Sequence, residues 1–248
     1  MIRVVDLYKS FGGQQVLKGI SLEVETGKIT TIIGGSGSGK TVLLKHLNAL
    51  LLPDRGSVLV DETDITKLGE NALNKIRKKF GVLFQGAALL DSMTIYDNVA
   101  FPLRETTKLS ESDIRKRAEE RLAQVGLAGM GYKYPAELSG GMKKRAGLAR
   151  ALVIEPEIIL FDEPTTGLDP LLGKSIHELI RKMHNTFGFT GVMVSHDIPE
   201  VFKVSDRVAM LANGVIAEVG PTEQFMASQN PMVRQFLQGE TEGPLAVL

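Results

Sequence analysis

Apolar positions in the first part of the chain recur with a period of two. Residues 3–8 and 16–24 alternate in strand fashion around a turn at 11–15, Phe-Gly-Gly-Gln-Gln. Residues 29–33, Ile-Thr-Thr-Ile-Ile, drop the alternation and read as a strand buried on both faces. Residues 42–50 then read as an apolar helix. A short strand follows at 57–60, then a polar segment through Leu73, then a buried strand at 80–84. From 86 to about 136 the strand signals vanish. Ser110 caps a helix with Asp113 in its first turn, and Ile114, Ala118, Leu122 and Val125 share one face, until Gly126 or Gly129 ends it. The apolar stretch before it, 93–103, suits either core or a groove for another protein's helix. A basic helix opens at Ser139, carrying Lys143, Lys144, Arg145 and Arg150 around the packing positions Ala146, Leu148, Ala149, Ala151 and Leu152. The remainder reads as a strand at 158–162, a helix at 171–187, a strand at 191–194 and a hairpin at 207–219 turned at Asn213-Gly214. A short helix is expected past Pro231, and tail from Gly239. This order predicts an α/β sheet protein with a helical insertion.

Composition narrows the function class. At 248 residues the chain can build a large core, and 29 Lys+Arg balance 29 Asp+Glu. No charge excess draws it to nucleic acid. Without cysteine it has no disulfide or thiolate metal site, which suits a reducing compartment. The N-terminal residues lack an apolar stretch of signal-peptide length, and no apolar run approaches the ~20 residues that span a bilayer. The expectation is a soluble chain, held at a membrane only by a partner.

The chemistry concentrates at 34–41, Gly-Gly-Ser-Gly-Ser-Gly-Lys-Thr, which fits G-x-x-x-x-G-K-[ST]. It lies between the buried strand and the apolar helix, as a phosphate-binding loop must. Glycines let successive N–H groups turn inward on a triphosphate, and the helix adds its positive end. Lys40 reaches β- and γ-phosphates, and the Thr41 hydroxyl suits Mg²⁺. Other candidates sit at strand ends and turns. Phe11 is either an edge aromatic or a ring on which a base stacks. Gln85 either marks where a strand meets solvent or reaches a metal or the attacking water. Ser139-Gly140-Gly141 is a helix cap and also a second anion nest. Asp162 and Glu163 end an apolar strand, where adjacent acids are costly unless they serve a cation. Asp162 suits Mg²⁺, and Glu163 suits a general base. His46, His177 and His184 fall in helices, whereas His196 ends a strand.

The ordered set resembles the ATP-binding subunit of an ABC transporter along nearly all of the chain. The resemblance implies the α/β P-loop NTPase fold of ABC ATPases, a mixed core sheet with an N-terminal antiparallel β subdomain and a helical insertion: one domain at 1–240, with a helical subdomain at about 86–155 and a C-terminal tail at 241–248. It implies two copies facing head to tail around two ATP molecules. Phe11 and Val16 would pack on adenine. Gly35, Ser36, Gly37, Ser38, Gly39, Lys40, Thr41 and Val42 would hold the phosphates. Thr41, Gln85 and Asp162 would serve Mg²⁺. Glu163 would be the catalytic base, with His196 on the γ-phosphate. Ser139, Gly140 and Gly141 would close over the partner copy's ATP, and Asp169 would sit at the dimer seam. Met142 stands where glutamine is usual, which leaves the Ser-Gly-Gly nest intact.

Met142 with the basic run after it, residues 93–103, residues 166–170 and the tail around Asn230-Pro231 and Phe236 to Gly239 are similar to the Mla/Mce branch. That branch moves phospholipids and related lipids between bacterial membranes. The similarity implies a permease, an MCE-domain lipid-binding protein, and a peripheral place on the cytoplasmic face of the inner membrane. Competing expectations are an amino-acid or small-solute importer, a lipoprotein exporter, and a soluble ABC ATPase acting on ribosomes. Single copies of each motif, no sustained heptads and neutral charge weigh against a ribosomal or DNA role.

Overall fold

The computed structural model describes residues 1–245. Among them the order is β1 (Ile2–Phe11), β2 (Gln14–Val24), β3 (Ile29–Ile33), α1 (Lys40–Leu47), β4 (Arg55–Val60), β5 (Thr63–Asp64) and α2 (Glu70–Arg77). Next come β6 (Phe80–Leu83), α3 (Ile95–Thr106), α4 (Glu111–Gln124), α5 (Gly140–Leu152), β7 (Ile158–Asp162) and α6 (Pro170–Phe187). The chain continues with β8 (Thr190–Ser195), β9 (Arg207–Ala212), β10 (Val215–Pro221), α7 (Thr222–Met226) and α8 (Pro231–Gln238). It divides into two compact units, Met1–Arg77 with the chain from Thr190 onward, and Lys78–Phe189. Of the expected tail at 241–248, residues 246–248 lie outside the described residues.

In the first unit, β2, β1, β4 and β5 form an antiparallel sheet in that order. The period of two sends Ile2, Val4, Leu7, Leu17, Ile20, Leu22 and Val24 into the core. Strand β1 runs on to Phe11, opposite Gln14, so the turn is only Gly12-Gly13 and Phe11 belongs to the strand rather than to the turn expected from the sequence. All five residues of β3 are buried, and β8 and β9 flank it in parallel. A strand covered on both sides has no polar face, hence its unbroken β-branched run. Each fully buried isoleucine there contributes roughly 1.5–3 kcal/mol, so the loop that follows stands on a stiff support. Helix α1 starts two residues before the expected position 42, with Gly39 as its cap, and seats Leu43, Leu44 and Leu47. The polar segment after β4 contains a helix, α2, whose only buried residue is Leu73.

In the second unit, β6 and β7 pair in parallel, from Phe80 opposite Ile158 to Leu83 opposite Phe161. The stretch 93–103, expected as core or groove, supplies most of α3, which is capped by Thr94 and buries Ile95, Asn98, Val99, Ala100 and Leu103. Ser110 accepts from Asp113 N at 3.2 Å, and Ile114, Ala118 and Leu122 of α4 are buried as their spacing demands. Helix α5 presses on β6 at Gly147, where a Cβ would come 2.9 Å from Leu83 Cδ1 and 3.2 Å from the Ala87 Cβ.

Candidate active site

The loop at 34–41 joins β3 to α1, and its shape is set by close backbone approach. Gly34 (φ +155) has no room for a side chain: a Cβ there would lie 2.2 Å from the carbonyl oxygen of Leu211 on β9. Ser38 N donates to Gly35 O at 3.3 Å and closes the turn. Gly35, Ser36 and Gly37 are exposed, Ser38, Gly39, Thr41 and Val42 are half-buried, and Lys40 is buried. Lys40 Nζ folds back over the loop and donates to Gly34 O and Gly35 O, each at 2.9 Å. The Ser38 hydroxyl is buried with no hydrogen-bond partner, 2.9 Å from where a Gly34 Cβ would stand. A buried hydroxyl without a partner is costly, and a polyanion seated in the loop would satisfy it. A cationic ammonium, loop N–H groups and an orphaned hydroxyl fit a triphosphate.

Three further candidates share this unit with the loop. Val16 of β2 is half-buried, and its Cγ1 would stand 3.0 Å from a Cβ on Gly39. Phe11 ends β1, 46% exposed, with Lys9 Nζ 5.5 Å from its ring centroid. His196 follows β8 and is exposed. Ile33 of β3 is paired with Ser195 of β8, so Gly34 and His196 leave neighbouring parallel strands at the same edge. In parallel sheets ligands gather at these carboxyl ends.

The second unit repeats that logic. Leu83 is paired with Phe161, so the segments through Gln85 and through Asp162-Glu163 leave β6 and β7 at one edge. Gln85 is exposed, while Asp162 and Glu163 are half-buried. Glu163 holds a left-handed backbone (φ +47), and Thr166 Oγ1 donates to its Oε2 at 3.0 Å. Between these segments lies a residue that the sequence showed only as part of a basic run. Lys144 of α5 is 5% exposed; its Nζ donates to Gln85 O and, at 3.4 Å, to Glu163 O. Burial pushes its ammonium pKa down, and the nearby carboxylates of Glu163 and Asp162 push it back up. Arg150, one and a half turns on, donates to Ala87 O and Ala88 O at 2.6 Å each. Nothing in the residue pattern announces that a basic side chain faces main-chain carbonyls, because those acceptors leave no trace in the side-chain sequence.

Ser139 caps α5, its hydroxyl accepting from Met142 N at 3.3 Å, with Ser139 and Gly140 exposed and Gly141 buried. A Cβ on Gly140 would stand 3.3 Å from Leu168 Cδ2, which brings the Ser-Gly-Gly turn against the segment leading to Asp169. Asp169 caps α6, accepting from Leu171 N and Leu172 N at 3.0 Å each. Its N-cap role explains its presence without any ligand. Leu171 beside it is 77% exposed.

Comparison with known proteins is consistent along the chain. Residues 17–166 match the family model described as ABC transporter. The chain is 46% identical over 246 residues to the "Probable ribonucleotide transport ATP-binding protein mkl" of Mycobacterium leprae, covering 99% of this chain and 71% of that protein. It is 42% identical over 245 residues to the "Intermembrane phospholipid transport system ATP-binding protein MlaF" of Haemophilus influenzae, covering 99% and 93%. Among solved structures it is similar to the ATP-binding cassette MJ0796 in a dimeric post-hydrolysis state bound to ADP and Pi. That likeness has a TM-score of 0.82 and 33% identity, over 90% of this chain and 99% of the other. The loop between β3 and α1, the acidic end of β7 and the Ser-Gly-Gly cap of α5 all fall within the matched segment, and the chain belongs to the ABC transporter family.

Proposed function

We propose that this chain is the ATP-binding and ATP-hydrolysing subunit of an ABC transporter that moves phospholipids or related lipids between bacterial membranes. The observation that carries the ATP part is the loop at 34–41, with Lys40 folded over its carbonyls and the Ser38 hydroxyl left without a partner. On arrival of ATP, Lys40 exchanges the Gly34 and Gly35 carbonyls for phosphate oxygens. Thr41, Gln85 and Asp162 offer a hydroxyl, an amide and a carboxylate. These are hard oxygen donors of the kind that suit Mg²⁺ carried in on phosphates. Among the described residues no three His, Cys, Asp or Glu side chains cluster to hold a metal alone. Bound Mg²⁺ supplies neutralisation of charge on the β- and γ-phosphates. Glu163 takes the proton of the attacking water, and Thr166 holds one of its oxygens still. His196 orients the γ-phosphate, and Phe11 with Val16 packs on adenine. Ser139, Gly140 and Gly141 bind the ATP of a second copy, and Asp169 lies at the seam.

The lipid cargo rests on likeness to the phospholipid-transport relative, which this chain matches over 93% of that protein's length. A second reading, ribonucleotide cargo, is favoured by the 46% identity to the mycobacterial relative. Among the described residues no helix is long and apolar enough to cross a membrane. The proposed place, on the likeness to the phospholipid-transport relative, is the cytoplasmic face of the inner membrane, on a permease, with an MCE-domain protein in the same complex.

The test is to isolate the chain from its own membranes in mild detergent and to identify its companions by mass spectrometry. A permease, an MCE-domain protein and bound phospholipid are expected. Bound nucleotide cargo with a different permease would overturn the lipid reading and leave the ATP reading standing. Ribosomes in place of membrane proteins would overturn the transport reading altogether.

A further inference from the structure

Helix α5 begins at the Ser139-Gly140-Gly141 turn and carries two cations inward. Lys144 donates to the carbonyl oxygens of Gln85 and Glu163. Arg150 donates to those of Ala87 and Ala88. Ala87 (φ +61), Ala88 (φ +46) and Glu163 (φ +47) all stand in the left-handed region, which residues with a Cβ avoid. Such conformations persist where the surroundings over-determine them, and they cluster at functional sites. Here each of the three has its carbonyl held by a cation from α5. Gly147 lets the helix come close enough, since a Cβ there would press on Leu83 and Ala87.

We propose that Lys144 is a positioning residue for ATP hydrolysis. One ammonium holds the backbone from which the Gln85 and Glu163 side chains project, and fixes both to the helix that starts with the Ser-Gly-Gly turn. A displacement of α5 therefore reaches Gln85 and Glu163 together, and the base is set only when the helix is set. The inference rests on the proposed roles of Glu163 and Gln85.

The test compares ATP turnover and binding of a fluorescent ATP analogue for the full chain, Lys144→Met, Lys144→Arg and, as a control on the site itself, Glu163→Gln. Lys144→Met is expected to lower kcat about ten-fold or more while KM for ATP stays within about two-fold, the signature of a loss felt in the transition state. Lys144→Arg keeps a cation that reaches the same carbonyls and is expected to restore at least about half of the parent kcat, as a retained charge-assisted donor should. The proposal is overturned if Lys144→Met keeps kcat within about two-fold, or if it raises KM as it lowers kcat and arginine restores neither. If Lys144→Met does not fold, Lys144→Gln, which keeps one neutral donor, is judged by the same criteria. A Glu163→Gln variant with parent turnover would refute the base assignment itself, a failure separate from that of Lys144.

Discussion

Gly34→Ala tests whether the loop conformation depends on the close approach of β9. An alanine Cβ would stand 2.2 Å from Leu211 O, where ordinary contact begins at 3.4 Å, so one of the two backbones must retreat by about 1 Å. Leu211 is fully buried in a strand paired on both sides, and cannot give cheaply. Two penalties add. Overpacking a well-filled site costs ~1–3 kcal/mol. A Cβ-bearing residue at φ +155 adds ~1–3 kcal/mol of backbone strain. The sum is at least about 2 kcal/mol, which lowers Tm by roughly 4–8 °C in a chain of this size. The loop also moves off its phosphate-binding shape, so the affinity for an ATP analogue falls with stability. Gly35→Ala is the matched control, because its Cβ meets nothing within 4 Å. Its stability should stay within about 0.5 kcal/mol of the parent. Thermal unfolding by circular dichroism and analogue binding decide the matter. A Gly34→Ala protein with the parent Tm and the parent affinity would refute the steric argument.

Three other substitutions probe separate parts of the account. Lys40→Ala removes at least one charge-assisted contact to phosphate, and the Kd for an ATP analogue should rise at least about ten-fold. Glu163→Gln should keep the parent Kd while kcat falls by about 10²–10⁴, and an ATP-loaded dimer should accumulate on size-exclusion chromatography. His46 is buried in α1 with Nδ1 2.7 Å from Val42 O, and burial lowers its pKa below the ordinary 6.5. The folded chain thus binds fewer protons than the unfolded one below that pH. Stability is full above it and declines as pH falls, by up to about 1.4 kcal/mol per pH unit. His46→Gln should narrow the difference in Tm between pH 7.5 and pH 5.5, and an unchanged difference would remove His46 from the acid response.

Much of the fold was legible because its signals are local. The β-branched run at β3, the glycine loop after it and the Asn213-Gly214 turn each specify their own backbone. What escaped reading depends on packing. Helix α2 was invisible because a single apolar side chain, Leu73, is all that it buries. Helix α3 hides behind Pro102, which sits inside it and breaks the helical signal. A cue was present nonetheless: Thr94 before an acidic first turn is an N-cap pattern, and the Thr94 hydroxyl accepts from Asp97 N and donates to Asp97 Oδ2. Gln235 carries no sequence signal of burial, yet it is 3% exposed and exchanges hydrogen bonds with Leu245, drawing the tail back onto α8. Within the candidate site, the strand-end residues Gln85, Asp162, Glu163 and His196 could be picked out because chemistry-bearing side chains follow apolar runs. Lys144 and Arg150 could not, since their acceptors belong to the main chain.

In the proposed function, an ATP site is completed by the Ser-Gly-Gly turn of a second copy. Mixing two variants that each lose one half of that site tests it most directly. Lys40→Ala spoils the phosphate loop, and Ser139→Arg spoils the turn, so neither variant should hydrolyse ATP alone. A mixed dimer holds one intact loop facing one intact turn. Turnover by the mixture well above the sum of the separate proteins is the predicted result. Ser139→Arg hydrolysing ATP alone at the parent rate, with no gain on mixing, would place the whole site within one chain and contradict the account.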